Sequence, residues 1–312
     1  MSDFQVCANA IIPIFLIMAL GYLARSLGAI KREDVPRLNK LAFRYFMPVM
    51  LFYSIYTSDI KTAVQPKLLL FSAVCVLAEY LLALGFVLLT EKDSSKRGVM
   101  IQGMYRSNFV IIGLPLAGAL VEGADLSGVV VLIAVVVPMF NILAVVTLEV
   151  FNGKKPSVGK LLLDIAKNPL IIGAVTGILA LLLRIKLPGV LESAAEQIYA
   201  ATNPLMLFLL GAFFKFDGVK KYAKELTKVC LARLVILPGI FLGIAVAAGI
   251  SGAEFAGMIA MFGSATAIAS FTMAEQMGGD AELAGDIVVM TSALCAFTMF
   301  GWSLLFKSIG IF

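Results

Sequence analysis

Arg106-Ser107-Asn108-Phe109-Val110-Ile111-Ile112-Gly113-Leu114-Pro115 sets a guanidinium, a hydroxyl and an amide at the head of an otherwise apolar run that closes on Gly-x-Pro. Its flanks are apolar too, so the decapeptide lies inside a hydrophobic stretch, residues 99–120, long enough to cross a bilayer. Backbone in lipid must satisfy its own N–H and C=O groups, so irregular backbone survives at membrane depth only where it lines a protein cavity. Gly113 and Pro115 weaken the helix, and a polar triplet has no favourable contact with hydrocarbon. The stretch reads as a broken membrane helix beside a cavity. The class that follows is an all-α integral membrane protein.

The rest of the chain agrees. Of 312 residues, 61% are hydrophobic and 14% charged, more apolar side chain than a soluble fold hides from water. Apolar runs recur at 4–23, 38–56, 68–89, 99–120 and 129–151, then at 169–183, 198–214, 229–249, 255–277 and 283–306, which predicts about ten transmembrane helices. The first opens beside Asp3 without a basic region or a small-residue cleavage pattern, and is expected to be a retained helix. Cys7, Cys75, Cys230 and Cys295 lie inside apolar runs with no paired spacing, as small core residues do, so no metal is expected.

Basic residues are distributed unevenly. Seventeen Lys and Arg fall on the loops after the first, third, fifth and seventh spans, five lie on the opposite side, and Arg44, Arg106 and Arg233 fall within spans. Short basic loops stay in the cytoplasm, so a multi-pass protein of the plasma (inner) membrane with both termini extracytoplasmic is expected. Loops beside anionic lipid account for the net charge of +5 without a nucleic-acid partner.

Pro48-Val49-Met50-Leu51-Phe52 reappears as Pro204-Leu205-Met206-Leu207-Phe208, an offset of 156, and Gly21 meets Gly177 at the same offset. Ala117 with Ala274 and Gly128 with Gly285 are 157 apart. Two five-helix repeats follow, residues 1–153 and 154–312, and an odd number of spans per repeat inverts the second copy. The ninth span carries the counterpart of the opening decapeptide, Gly263-Ser264-Ala265-Thr266-Ala267-Ile268-Ala269-Ser270-Phe271-Thr272. Half-helix N-termini at two such breaks would expose N–H groups and positive dipole ends suited to a carboxylate. A proline kink with close packing of small residues is the other reading of either segment.

Glu79, Arg106 and Arg233 are the ionisable residues for which lipid is most costly. Glu79 fits a proton carrier or an ion-pair partner of Arg106 or Arg233. Arg233 fits an anion attractor or a side chain reaching the interface. Asn141 fits a cavity donor or helix glue. The chain has no His, which removes His-based zinc sites and Ser-His catalysis, and no two carboxylates take obviously facing positions, so an enzyme is not expected.

The whole chain resembles the auxin efflux carrier family, which holds the plant PIN carriers and bacterial PIN-like transporters assigned to malate or malonate. The resemblance rests on Gly21-Tyr22-Leu23, Phe46-Met47-Pro48, Ser107-Asn108 with Gly113-Leu114-Pro115-Leu116, Lys167-Asn168-Pro169-Leu170, Arg233-Leu234 with Pro238, and Phe271-Thr272-Met273-Ala274-Glu275-Gln276-Met277 before Asp280. It implies a 5+5 inverted repeat whose broken fourth and ninth helices cross near the midplane, an elevator-like transport domain moving against the first, second, sixth and seventh helices, and a homodimer. Ser107 and Ala265 occupy the places where the family usually has proline, Asn108 matches its crossover asparagine, and Thr266 stands in the equivalent region of the second repeat. The function implied is secondary transport of a small organic anion such as a carboxylate, without a cofactor and with H+ or Na+ as the possible coupling ion. Ser107, Asn108, Gly113, Pro115, Ala265, Thr266 and Ser270 are the expected substrate-binding residues, and Glu79, Arg106 and Arg233 those for anion or proton coupling. A sodium-coupled symporter of the bile-acid transporter type shares the crossed-helix architecture and is the alternative, ahead of a membrane sensor that does not transport.

Overall fold

The computed structural model describes residues 3–57, 66–113, 117, 118, 120, 121, 127–152, 159, 163 and 165–311. Pro115 lies outside them. The helices are α1 (Asp3–Ser26), α2 (Val35–Leu41), α3 (Met47–Tyr56), α4 (Pro66–Thr90), α5 (Ser94–Tyr105), α6 (Ser127–Phe151), α7 (Pro169–Leu182) and α8 (Gly189–Phe213). They continue with α9 (Phe216–Lys221), α10 (Ala223–Leu231), α11 (Leu237–Ala247), α12 (Gly252–Gly263), α13 (Ala269–Gln276) and α14 (Ala281–Ser308). Wider π-helical turns join α2 to α3 (Ala42–Phe46) and α10 to α11 (Ala232–Ile236), and a third follows α5 (Phe109–Gly113).

Three helix starts have a side-chain cap. Asp93, Asn168 and Asp280 accept hydrogen bonds from the N–H groups of Ser95 (2.9 Å), Leu170 (2.9 Å) and Leu283 (3.0 Å), capping α5, α7 and α14. Pro169 takes the first helical position, where its missing N–H costs nothing. Pro238 deprives the Leu234 carbonyl of its helical donor, and the Trp302 indole N–H supplies one at 3.0 Å.

Helical residues occupy each of the expected apolar stretches, and the fourth and ninth are divided. Three helices are long and apolar enough to cross a membrane unaided, 66–90, 223–247 and 281–308, and four shorter apolar helices accompany them among the described residues. Large apolar side chains face outward along these helices, including Leu16, Leu20, Leu70, Leu89, Leu182 and Phe297. Water would not tolerate such a surface over the whole girth of a protein; lipid does.

Two groups of helices pack internally. One is α1, α2, α3, α7 and α8; the other is α4, α5, α6 and α10 to α14. In the first group glycines let backbones touch: a Cβ on Gly21 would meet the Phe208 carbonyl, and one on Gly177 would lie 2.9 Å from the Phe52 carbonyl. Gly21 with Gly177 and Phe52 with Phe208 are both 156 apart, so the α1–α8 and α3–α7 contacts pair the same residue types at the same offset. Lipid offers no less apolar an environment than a neighbouring helix, so this close approach of small residues is what holds the helices together.

Candidate functional site

The chain leaves its helices at two places that meet inside the second group. α5 ends at Tyr105, α12 at Gly263, and the extended residues that follow pair as a single antiparallel bridge between Ser107 and Thr266. Asn108 N–H donates to the Ala265 carbonyl at 2.7 Å, and Ala267 N–H to the Arg106 carbonyl at 3.0 Å. Each break therefore supplies backbone partners to the other, which is how non-helical chain persists away from water. Ser264, Ala265, Thr266, Ser107 and Asn108 are all buried. In place of proline, small residues give the room for two backbones to come this close.

Arg106 is 3% exposed and has no carboxylate partner among the described residues. Its guanidinium donates to Asn141 Oδ1 (2.6 Å), Gln102 Oε1 (3.0 Å) and Met273 Sδ (2.8 Å), all neutral. Asn141 is oriented by its own donation to the Val137 carbonyl at 2.8 Å. A buried cation left without a counter-charge is costly, and an anionic ligand is the economical way to neutralise it.

A cavity of about 90 Å³ lies against this guanidinium, lined by Arg106, Ser107, Asn108 and Asn141 from the second group and by Ser54, Tyr199 and Asn203 from the first. Ser107 Oγ and Asn108 Nδ2 are buried and unpartnered within the protein, so a hydroxyl and an amide donor remain available to a ligand.

The other expected residues fall elsewhere. Thr266 Oγ1 donates to the Gly103 carbonyl at 2.7 Å and its N–H to Thr291 Oγ1 at 3.1 Å, so its side chain ties α5 to the crossover from the side away from the cavity. Ala265 contributes its carbonyl to Asn108 and its methyl group is buried in the core. Ser270 is buried on α13 with an unpartnered Oγ and does not line the cavity. Gly113 lets the chain pass close to Ala260 of α12. Tyr199, Asn203 and Ser54 were not anticipated; the readable signal was Asn203, an amide beside Pro204 inside an apolar run.

Arg233 and Glu79 are partners of each other. They are 0% and 1% exposed, and Arg233 donates to Glu79 Oε1 at 2.8 Å. The same guanidinium reaches the carbonyls of Ser264 (2.9 Å), Met261 (3.1 Å), Met104 (3.3 Å) and Tyr105 (3.4 Å). Those are the C-terminal carbonyls of α5 and α12 and the first residue beyond α12, groups that a helix end leaves without donors. Arg233 neither reaches the interface nor lines the cavity: it clamps both half-helix ends, with Glu79 balancing its charge.

Comparison with known proteins agrees with the membrane reading. A family profile described as membrane transport protein matches residues 6–303. An uncharacterized transporter of Methanothermobacter thermautotrophicus is 21% identical over 313 residues, covering 96% of this chain and 98% of the relative.

Proposed function

The chain belongs to the membrane transport protein family, the auxin efflux carrier group that its sequence resembles, and on that premise we propose that it is a secondary carrier of a small organic anion, with the carboxylate held at Arg106. The observation that carries this reading is the buried Arg106 guanidinium, bonded only to neutral acceptors and facing a cavity where Ser107 Oγ and Asn108 Nδ2 await partners. A carboxylate there would accept charge-assisted bonds from all three, with donor and acceptor both ionised only at Arg106. Selection for anions over amides follows from the guanidinium alone. Competition binding at fixed pH between a carboxylate and its neutral amide, with sodium present and absent, is expected to favour the acid by about tenfold or more. Equal affinity would defeat the anion reading, and a strict sodium requirement would move the protein towards the sodium-coupled type.

In this reading residues 1–153 and 154–312 form inverted repeats. The group of α1, α2, α3, α7 and α8 is the fixed scaffold, and the group holding the crossover moves against it as an elevator. Ser54, Tyr199 and Asn203 are the scaffold's share of the cavity wall, so translation of one group past the other would exchange half of the ligand's surroundings. A homodimer joined through the scaffold suits a part that has to stay still. Both termini lie outside the cytoplasm in the plasma (inner) membrane. A reporter fused after Lys155 is expected to report cytoplasm and one after Phe312 the opposite side; cytoplasmic activity at Phe312 would overturn the orientation.

A further inference from the structure

Lys40 and Arg44 are four residues apart on α2 and the π-helical turn after it, and Lys167 immediately precedes the Asn168 cap of α7. The fold brings all three to one recess of about 500 Å³, whose wall also includes Tyr45, Ile172 and Gln276. No acidic side chain lines it, and none of the three cations forms an ion pair among the described residues. The neighbouring carboxylate, Glu275, is engaged by Asn39 Nδ2 at 3.0 Å and by Gln276. Lys40, Arg44 and Lys167 are exposed, and three positive charges converging without a counter-charge attract an anion, to which the N-terminal end of α7 adds a positive dipole end.

We propose that this recess binds the phosphate headgroup of an anionic phospholipid. The choice of a lipid over a soluble phosphate rests on what surrounds the cations. Tyr45 and Ile172 on the wall are 63% and 50% exposed, and Leu41 beside them is exposed as well, so the recess opens onto an apolar flank that acyl chains would cover. In the orientation given above, it sits at the cytoplasmic boundary of the bilayer. There Lys and Arg meet anionic lipid and tyrosine marks the interface. Gln276, at the end of α13, donates to the Pro36 carbonyl at 3.3 Å. A headgroup here would therefore bridge the scaffold and the half-helix that follows the crossover, and its binding would hold the two together. This inference rests on the orientation proposed above; the identity of the transported anion does not enter.

The experiment uses the purified full chain in mixed micelles containing phosphatidylglycerol or phosphatidylcholine, read by native mass spectrometry for retained lipid and by thermal shift. Wild type is expected to retain phosphatidylglycerol selectively and to melt higher with it. The triple variant Lys40→Gln, Arg44→Gln, Lys167→Gln should lose that advantage. At about 1 kcal/mol per surface cation, its apparent affinity falls on the order of a hundredfold. A control with the same charge removed elsewhere, Lys31→Gln, Lys92→Gln, Lys224→Gln, should keep it. The single variant Arg44→Gln, expected to lose about fivefold, carries the test should the triple variant fold poorly in phosphatidylcholine. An equal loss in the control would show diffuse charge attraction and overturn the site. Unchanged phosphatidylglycerol binding in the recess variants would overturn it too, and so would full stabilisation of wild type by inorganic phosphate alone.

Discussion

Replacing Arg106 with glutamine is expected to weaken carboxylate binding by about ten- to a hundredfold and to erase the preference for acid over amide, while leaving the folded protein at least as stable. The affinity loss is that of a charge-assisted hydrogen bond, about 1.5–3 kcal/mol, at about 1.4 kcal/mol per tenfold. The stability side has the opposite sign because of what Arg106 touches. Its partners are the neutral Gln102, Asn141 and Met273, so in the empty protein the guanidinium is a buried charge without compensation. Removing it relieves that cost at the expense of its hydrogen bonds to neutral acceptors. Asn108→Ala belongs to the same experiment. Its Nδ2 bonds nothing in the protein, so truncation takes no donor from the fold, whereas the backbone bond to Ala265 persists. Transport should fall to background with melting unchanged. Wild-type transport in Asn108→Ala would remove that residue from the site, and loss of folding in either variant would return the crossover to a purely packing role.

The largest effect on stability is expected at Arg233. Arg233→Met strands Glu79 as a buried carboxylate and leaves carbonyls at the ends of α5 and α12 without donors, a loss of about 3–5 kcal/mol. Melting temperature and the monodisperse fraction in detergent should both drop. Arg233→Lys keeps the charge, but an ammonium lacks the planar fork that reaches Glu79, Met261 and Ser264 together, so it should recover only part of the loss. Glu79→Gln retains an acceptor for Arg233 and leaves every carbonyl clamped, so it should be the mildest of the three. The double variant should cost less than the sum, because each single change removes the same pair. If Glu79→Gln alone costs as much as Arg233→Met, the ion pair and not the clamp organises the crossover. This pairing also bears on proton coupling. Glu79 does not line the cavity, so a pH-dependence of transport that survives Glu79→Gln would place the proton elsewhere.

The membrane class, the breaks in the fourth and ninth stretches and the family were legible in the sequence because each depends on local composition. A long apolar run has one solvent it can live in, and a polar triplet with Gly and Pro cannot continue a helix through that solvent unless a cavity is beside it. The shared offset of 156 was legible for the same reason, since the glycines and prolines that allow close packing recur in the chain itself. Tertiary structure alone decided what the buried charges do. Arg106 and Arg233 look alike in sequence, each an arginine inside an apolar span. What separates them is a carboxylate 154 residues from Arg233, brought to 2.8 Å by the packing of α4 against α5, while no carboxylate reaches Arg106 among the described residues. That Ser54 of α3 and Tyr199 of α8 share the cavity wall with Asn203 was hidden for the same reason. Which face of a membrane helix meets a cavity and which meets lipid depends on neighbours far away in the chain, and a pattern of single spans carries no record of them.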